Sequence, residues 1–228
     1  MASLARTHVT DMLDQWGPGH VSSMPLPEAQ SYCSSLTHSH AENFSVLTRL
    51  VPGRMRDGIC ALYAFCRWSD DLADEIGDPK RSSQLLQWWG EQLLACFDDH
   101  PSHPVFIALA PVIQRHGLSI DPFTALLDAF RQDQTVRRYE RWDDLLAYCR
   151  GSANPVGRLV LAIADEPCTP SQMAASDSIC TALQLANHWQ DVQRDLLDRD
   201  RIYIPAELHD IADFDKRLLS TASQGYAP

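Results

Sequence analysis

The sequence predicts an all-α, single-domain protein, and three observations carry that expectation. Apolar residues recur at helical spacing in every long segment, and no stretch alternates apolar and polar residues as a half-buried strand does. The breaks between segments carry helix start and stop signals rather than hairpin turns. No Rossmann-type glycine pattern, internal repeat or low-complexity tract interrupts the series.

The 228 residues suffice for one sizeable core. A formal net charge of -11 argues against a nucleic-acid partner, which requires a basic footprint. Seven cysteines, an odd number with no C-x-x-C pair, read as reduced thiols rather than a disulfide framework. The first residues, MASLARTHVTDMLDQW, lack the apolar core of a signal peptide, and no apolar run reaches the length of a membrane span. The expectation is a cytosolic protein, with peripheral membrane contact left open.

Taken in order, residues 1–27 contain Gly17-Pro18-Gly19 and Pro25-Leu26-Pro27 and are expected to form a poorly ordered arm. Residues 28–228 form the helical domain. A polar helix is expected from Glu28 to about Phe44, then a long one from Arg54 to Ile76, ended by Gly77. Asp78-Pro79 and Asp121-Pro122 have the form of a cap followed by proline at the first helical position. Between these two lies a short helix ended by Gly117. From Asp143 onward a helical pattern runs through Asn154-Pro155; the spacing favours two helices meeting there over one kinked helix. Thr169-Pro170-Ser171-Gln172 has the form of a capping box. The helix it opens is expected to continue through Asp195. Residues 201–205 read as extended, and 206–220 as a last helix.

Two of these helices carry polar stripes. At roughly 100° per residue, Tyr63, Arg67, Asp70 and Asp74 fall within an arc of about 60°, with Asp71 beside it. Gln184, Asn187, Asp191 and Asp195 fall within about 80° on the other helix. Such stripes on apolar helices are costly to bury unless they face a wet or cation-filled cavity. Carboxylate and amide oxygens are the hard donors that Mg²⁺ accepts, usually together with substrate phosphates. Zinc would call for His and Cys at ligand spacing, and a di-iron bundle for Glu-x-x-His; neither pattern is present. A diphosphate bridged by Mg²⁺ to both helices fits the pair, and its departure would leave a carbocation that aromatic walls steady. Tyr63, Phe65, Trp68, Tyr148, Trp189 and Tyr203 are candidates for those walls. The plainer alternative is two solvated faces laced by local pairs such as Arg67 with Asp71.

These residues resemble the motifs of the squalene/phytoene synthase family. The matching segments are Tyr63-x-x-x-Arg67-x-x-Asp70-Asp71-x-x-Asp74, and Gln184-x-x-Asn187-x-x-x-Asp191-x-x-x-Asp195 followed by Arg201-Ile202-Tyr203-x-Pro205. Tyr148 to Arg158 resembles the family's middle helix. The resemblance implies an isoprenoid-synthase-type bundle with a central cavity. It also implies Mg²⁺ held by Asp70, Asp71, Asp74, Asp191 and Asp195, with Asn187 nearby. Arg67, Gln184 and Arg201 would belong to the diphosphate site, and Tyr63, Tyr148 and Tyr203 to the pocket.

Glu42-Asn43-Phe44, Trp68, Trp189, Gln190 and Ser152 to Gly157 resemble the bacterial hopanoid-pathway HpnC branch of that family. That branch is thought to ionise presqualene diphosphate and add water, giving hydroxysqualene. Relatives that condense two farnesyl diphosphates often carry a small hydroxyl residue, a basic residue and a glycine where this chain has Asn43, Gln190 and Asn154. Amides at those positions reduce positive charge and add groups able to orient a water. Head-to-head condensation is the alternative of the same class, and a non-catalytic or truncated family member acting as a scaffold is the alternative of a different class. The chain ends soon after Pro205, so a bundle shortened at its C-terminus is expected, with one cavity wall open.

Overall fold

The structure, a computed structural model, describes residues 9–39, 51–165, 168–209 and 214–223. Its described residues are helical, with no strand; one isolated bridge pairs Arg138 with Ile202. A 3-10 turn at Val9–Met12 leads into α1 (Leu13–Trp16). There follow α2 (Leu26–Ser39), α3 (Gly53–Asp74), α4 (Pro79–Phe97), α5 (Pro104–His116) and α6 (Asp121–Gln132). Next come α7 (Trp142–Ser152), α8 (Asn154–Ile163), α9 (Pro170–Gln190), α10 (Val192–Arg199) and α11 (Phe214–Ser223).

Helix α3 is the axis of the bundle, packed by α2, α4, α5, α6 and α8. From Gly58 to Ala73 every residue is buried except Tyr63, Cys66, Arg67 and Asp70, which share one face. An apolar girdle therefore fixes the rotation of the helix and leaves a polar strip for the interior cavity. The girdle centres on Phe65 and Trp68, both fully buried. Trp68 stacks on Trp89 at 5.2 Å between ring centroids, and Phe123 meets Phe65 edge-on at 5.3 Å. Pairs of this kind add about 0.5–1.5 kcal/mol each beyond the area they bury. Phe65 and Trp68 are thus core, not cavity wall, and Trp189 is 45% exposed beside Trp142. Rings at helical spacing do not reveal which side of the helix the ligand occupies.

The helix ends follow their local chemistry. Asp78 accepts the Lys80 amide at 2.9 Å, and Thr169 and Gln172 form the reciprocal capping box. Gly117 closes α5 at φ 57°, where a β-carbon would be strained. Ala153 separates α7 from α8, so Pro155 stands in the first turn of a new helix, where proline is tolerated.

Three expectations are corrected. Asp121 is the first residue of α6 and makes no capping bond. Part of the N-terminal stretch is regular: Val9 is fully buried and its amide donates to Asp71 at 3.0 Å, which ties residues 9–16 to α3. The second acidic helix is not continuous. Asp191 leaves helical geometry (φ -95°, ψ 4°), with its carboxylate 2.7 Å from Arg194, and α10 begins after it. All seven cysteines are free. No helix of the described residues is long and apolar enough to cross a membrane.

Candidate active site

The strip on α3 faces a cavity of about 550 Å³ whose opposite wall is α9 and α10. Arg67, Asp70 and Asp74 line it from one side, and Gln184, Asn187, Asp191 and Asp195 from the other. Tyr148 on α7 and Arg201 and Tyr203 in the extended segment complete the set that the sequence singled out. Ten of the predicted site residues thus converge from segments more than a hundred positions apart. The cavity walls are therefore strongly charged, while the core behind them is apolar.

Arginines knit the two acidic stripes together. Arg199 Nε lies 3.0 Å from Asp74 and its Nη1 lies 3.6 Å from Asp195, so one guanidinium touches both stripes. Arg201 Nη1 donates to Asp74 at 2.7 Å. The left-handed turn at Asp200 (φ 53°) redirects the chain so that Arg201 comes back toward α3. Asp200 also receives Arg137 and Arg138, which anchor that turn. On α3 itself, Arg67 pairs with Asp70 at 3.4 Å and closely with Asp71.

Two of the stripe carboxylates are held above the usual carboxylate range. Asp70 is pushed up to about 7, first by desolvation and then by its neighbour Asp74. Its side chain is 46% exposed toward the cavity. Desolvation likewise raises Asp195, with Arg194 and Arg199 pulling the other way. A donor set made of carboxylate oxygens, already sharing an arginine between stripes, fits a hard divalent cation. The fit concerns donor chemistry; no group of three or more His, Cys, Asp or Glu poised around a metal position occurs among the described residues.

Some predicted residues fall elsewhere. Asp71 is fully buried; one oxygen accepts the Val9 amide and the other meets Arg67, so it is committed to the core side of α3 and does not line the cavity. Position i+1 beside the stripe points inward by a further third of a turn, which explains the difference. Tyr63 is half-buried on the strip but outside the residues lining the cavity. Asn43 lies outside the described residues.

Three contributors escaped the sequence reading. Asp133, the residue after α6, is 7% exposed and accepts the hydroxyls of Tyr148 (2.7 Å) and Tyr203 (2.9 Å). Burial pushes its carboxyl up to about 6, against the lowering effect of those hydrogen bonds and of Arg201. His188 stacks on Tyr203 at 3.7 Å and 11°, and burial holds its imidazole down at about 4. Arg199 stands four residues after Asp195, the one spacing signal that could have revealed it.

The profile described as Squalene/phytoene synthase matches residues 37–225. The chain is 39% identical over 170 residues to a hydroxysqualene synthase of Zymomonas mobilis subsp. mobilis, covering 73% of this chain and 56% of that protein. It is 37% identical over 188 residues to the hydroxysqualene synthase of Rhodopseudomonas palustris, covering 82% and 62% respectively. The chain therefore spans about three-fifths of the length of these relatives. Among solved structures it resembles the squalene synthase HpnC from Alicyclobacillus acidocaldarius, with a TM-score of 0.73 and 39% identity over 90% of this chain and 70% of that one. A dehydrosqualene synthase solved with a ligand gives a TM-score of 0.71 at 26% identity, covering 87% and 74%. With the all-α bundle, the paired acidic stripes and these matches together, the chain belongs to the squalene/phytoene synthase family.

Proposed function

We propose that this chain performs Mg²⁺-dependent ionisation of presqualene diphosphate and adds water to the resulting cation, giving hydroxysqualene. The observation that carries the reading is the pair of acidic stripes facing each other across one cavity and bridged by Arg199. The family acts on prenyl diphosphates and is usually metal-dependent. The similarity to two hydroxysqualene synthases supports the choice of reaction within it.

Asp70, Asp74, Asp191 and Asp195 are the residues that would hold Mg²⁺, which when bound would neutralise the diphosphate and stabilise the charge on the leaving group. Arg67, Arg199 and Arg201 line the same space and would take the phosphate oxygens, releasing their carboxylates to the cation. Gln184 and Asn187 add neutral polar contacts on the α9 wall. Tyr148, Tyr203 and the neutral ring of His188 line the same cavity and would border a carbocation without adding positive charge beside it.

A second reading, head-to-head condensation of two farnesyl diphosphates, is favoured by the structural likeness to a protein described as a squalene synthase. Incubation with Mg²⁺ and either substrate, followed by identification of the lipid product, separates the readings. Hydroxysqualene from presqualene diphosphate is the expected result. Presqualene diphosphate formed from farnesyl diphosphate, with no alcohol, overturns it. A folded protein that turns over neither substrate favours a non-catalytic role.

A further inference from the structure

Two tyrosine hydroxyls on the cavity wall spend their hydrogens on one buried acid. Tyr148 donates to one oxygen of Asp133 at 2.7 Å, and Tyr203 to the other at 2.9 Å. An ionised carboxylate has only lone pairs to offer, and a phenol has only one hydrogen. Both phenol hydrogens are therefore committed to Asp133, and any water at these oxygens must donate to them.

The arrangement is held from several sides. The rings of Tyr148 and Tyr203 lie 5.5 Å apart, and Tyr139 packs on both at 5.7 and 5.8 Å. His188 stacks on the face of Tyr203. Arg201, from the adjoining segment, supplies the nearby positive charge that favours the ionised form of Asp133. Asp133 itself also lines the cavity. Three polar groups from three separate elements thus share one wall, and none of them belongs to the acidic stripes.

We propose that Asp133 is the positioning residue for the water that captures the cation, because it turns the lone pairs of Tyr148 and Tyr203 toward the cavity. The inference rests on the hydration reading above. A water held as a donor to these phenols keeps its own lone pair free to face the cationic carbon. That lone pair forms the C–O bond after diphosphate has left with its bonding pair. The excess proton on the new oxonium passes to a phenol oxygen while that phenol's own hydrogen crosses to the Asp133 carboxylate. The atoms and charges balance with no further reactant. Proton loss from a neighbouring carbon, which would give a hydrocarbon, is the competing fate.

Asp133→Asn tests the assignment. The amide offers one oxygen and one NH₂, so one phenol must accept from it and turn its hydrogen toward the cavity. With presqualene diphosphate and Mg²⁺, hydroxysqualene formed per diphosphate released is expected to fall by about tenfold or more, with hydrocarbon taking its place. Tyr203→Phe should move the ratio in the same direction, and the two changes combined should shift it less than the product of their separate effects. An unchanged ratio in Asp133→Asn, even with a slower overall rate, means a structural role only and overturns the inference. If Asp133→Asn does not fold, the same ratio measured in Tyr203→Phe decides. Diphosphate release without alcohol by the unaltered protein overturns the hydration reading and this inference with it.

Discussion

Replacing Arg199 by alanine probes the junction between the acidic stripes. The guanidinium is 21% exposed and contacts Asp74 (16% exposed), Asp195 (11%) and Glu75 (35%). Exposed pairs are worth about 0–1 kcal/mol, and breaking a fully buried pair costs about 3–5 kcal/mol. These contacts lie between those limits, so the loss is about 2 kcal/mol. For a chain of this size that corresponds to a fall in Tm of about 4–8 °C when measured in EDTA. Mg²⁺ should change the comparison. Arg199 occupies the charge position that a cation shared by Asp74 and Asp195 would take, so the two compete in the free protein. A cation bound at a hundred times its Kd contributes about 2.7 kcal/mol. The rise in Tm on adding about 10 mM Mg²⁺ should therefore be larger in Arg199→Ala than in the parent protein. Thermal melts of both proteins, with and without the cation, suffice. An equal fall in Tm under both conditions would refute the competition, as would a Tm that Mg²⁺ leaves untouched in both proteins.

Other consequences follow from the same geometry. Asp70→Ala and Asp191→Ala should each abolish lipid product while leaving the far-ultraviolet circular dichroism nearly unchanged, because both side chains face the cavity; retained turnover would contradict their assignment. Trp89→Leu should cost about 3 kcal/mol in urea unfolding, since Trp89 is fully buried and also donates to Ser69 at 3.0 Å; a loss below half of that would show the core to be loosely packed. His103 caps α5 by accepting the Val105 amide at 3.2 Å, and burial holds it down at about 3. Its unfolded form gains a proton below about 6.5 and its folded form does not, so this contribution is complete above that pH and is lost as pH falls toward 3. At pH 5 the loss is about 2 kcal/mol. His103→Asn keeps a capping acceptor and removes the titration. The stability difference between the two proteins should therefore move by that amount in the variant's favour between pH 7 and pH 5, as read by urea unfolding; a difference constant with pH would contradict the neutral cap.

Much of this architecture is local, and for that reason legible in the sequence. Asp78-Pro79, Thr169 to Gln172 and Gly117 mark helix ends through chemistry confined to one turn. The stripes on α3 and α9 were legible because helical spacing alone gathers Arg67, Asp70 and Asp74, or Gln184 and Asn187. What periodicity lacks is the direction of the core. Asp71 and Asp70 are adjacent acids, yet one holds the Val9 amide in the core and the other faces the cavity. Phe65 and Trp68 were candidates for the wall and are the centre of the apolar girdle. Asp133 was missed for a different reason. Its partners stand 15 and 70 positions away, and no spacing rule joins a residue after one helix to hydroxyls on two other segments.

The central claim is that the two acidic stripes jointly hold a cation-bound diphosphate. Its most direct test is a crystal of the protein with Mn²⁺ in place of Mg²⁺ and an unreactive prenyl thiodiphosphate, with the metal positions read from anomalous scattering. The account predicts Mn²⁺ in contact with Asp70 or Asp74 on one side and Asp191 or Asp195 on the other, with the diphosphate between them and Arg199 moved off at least one carboxylate. Metal bound outside the cavity, or a diphosphate seated away from both stripes, would contradict it.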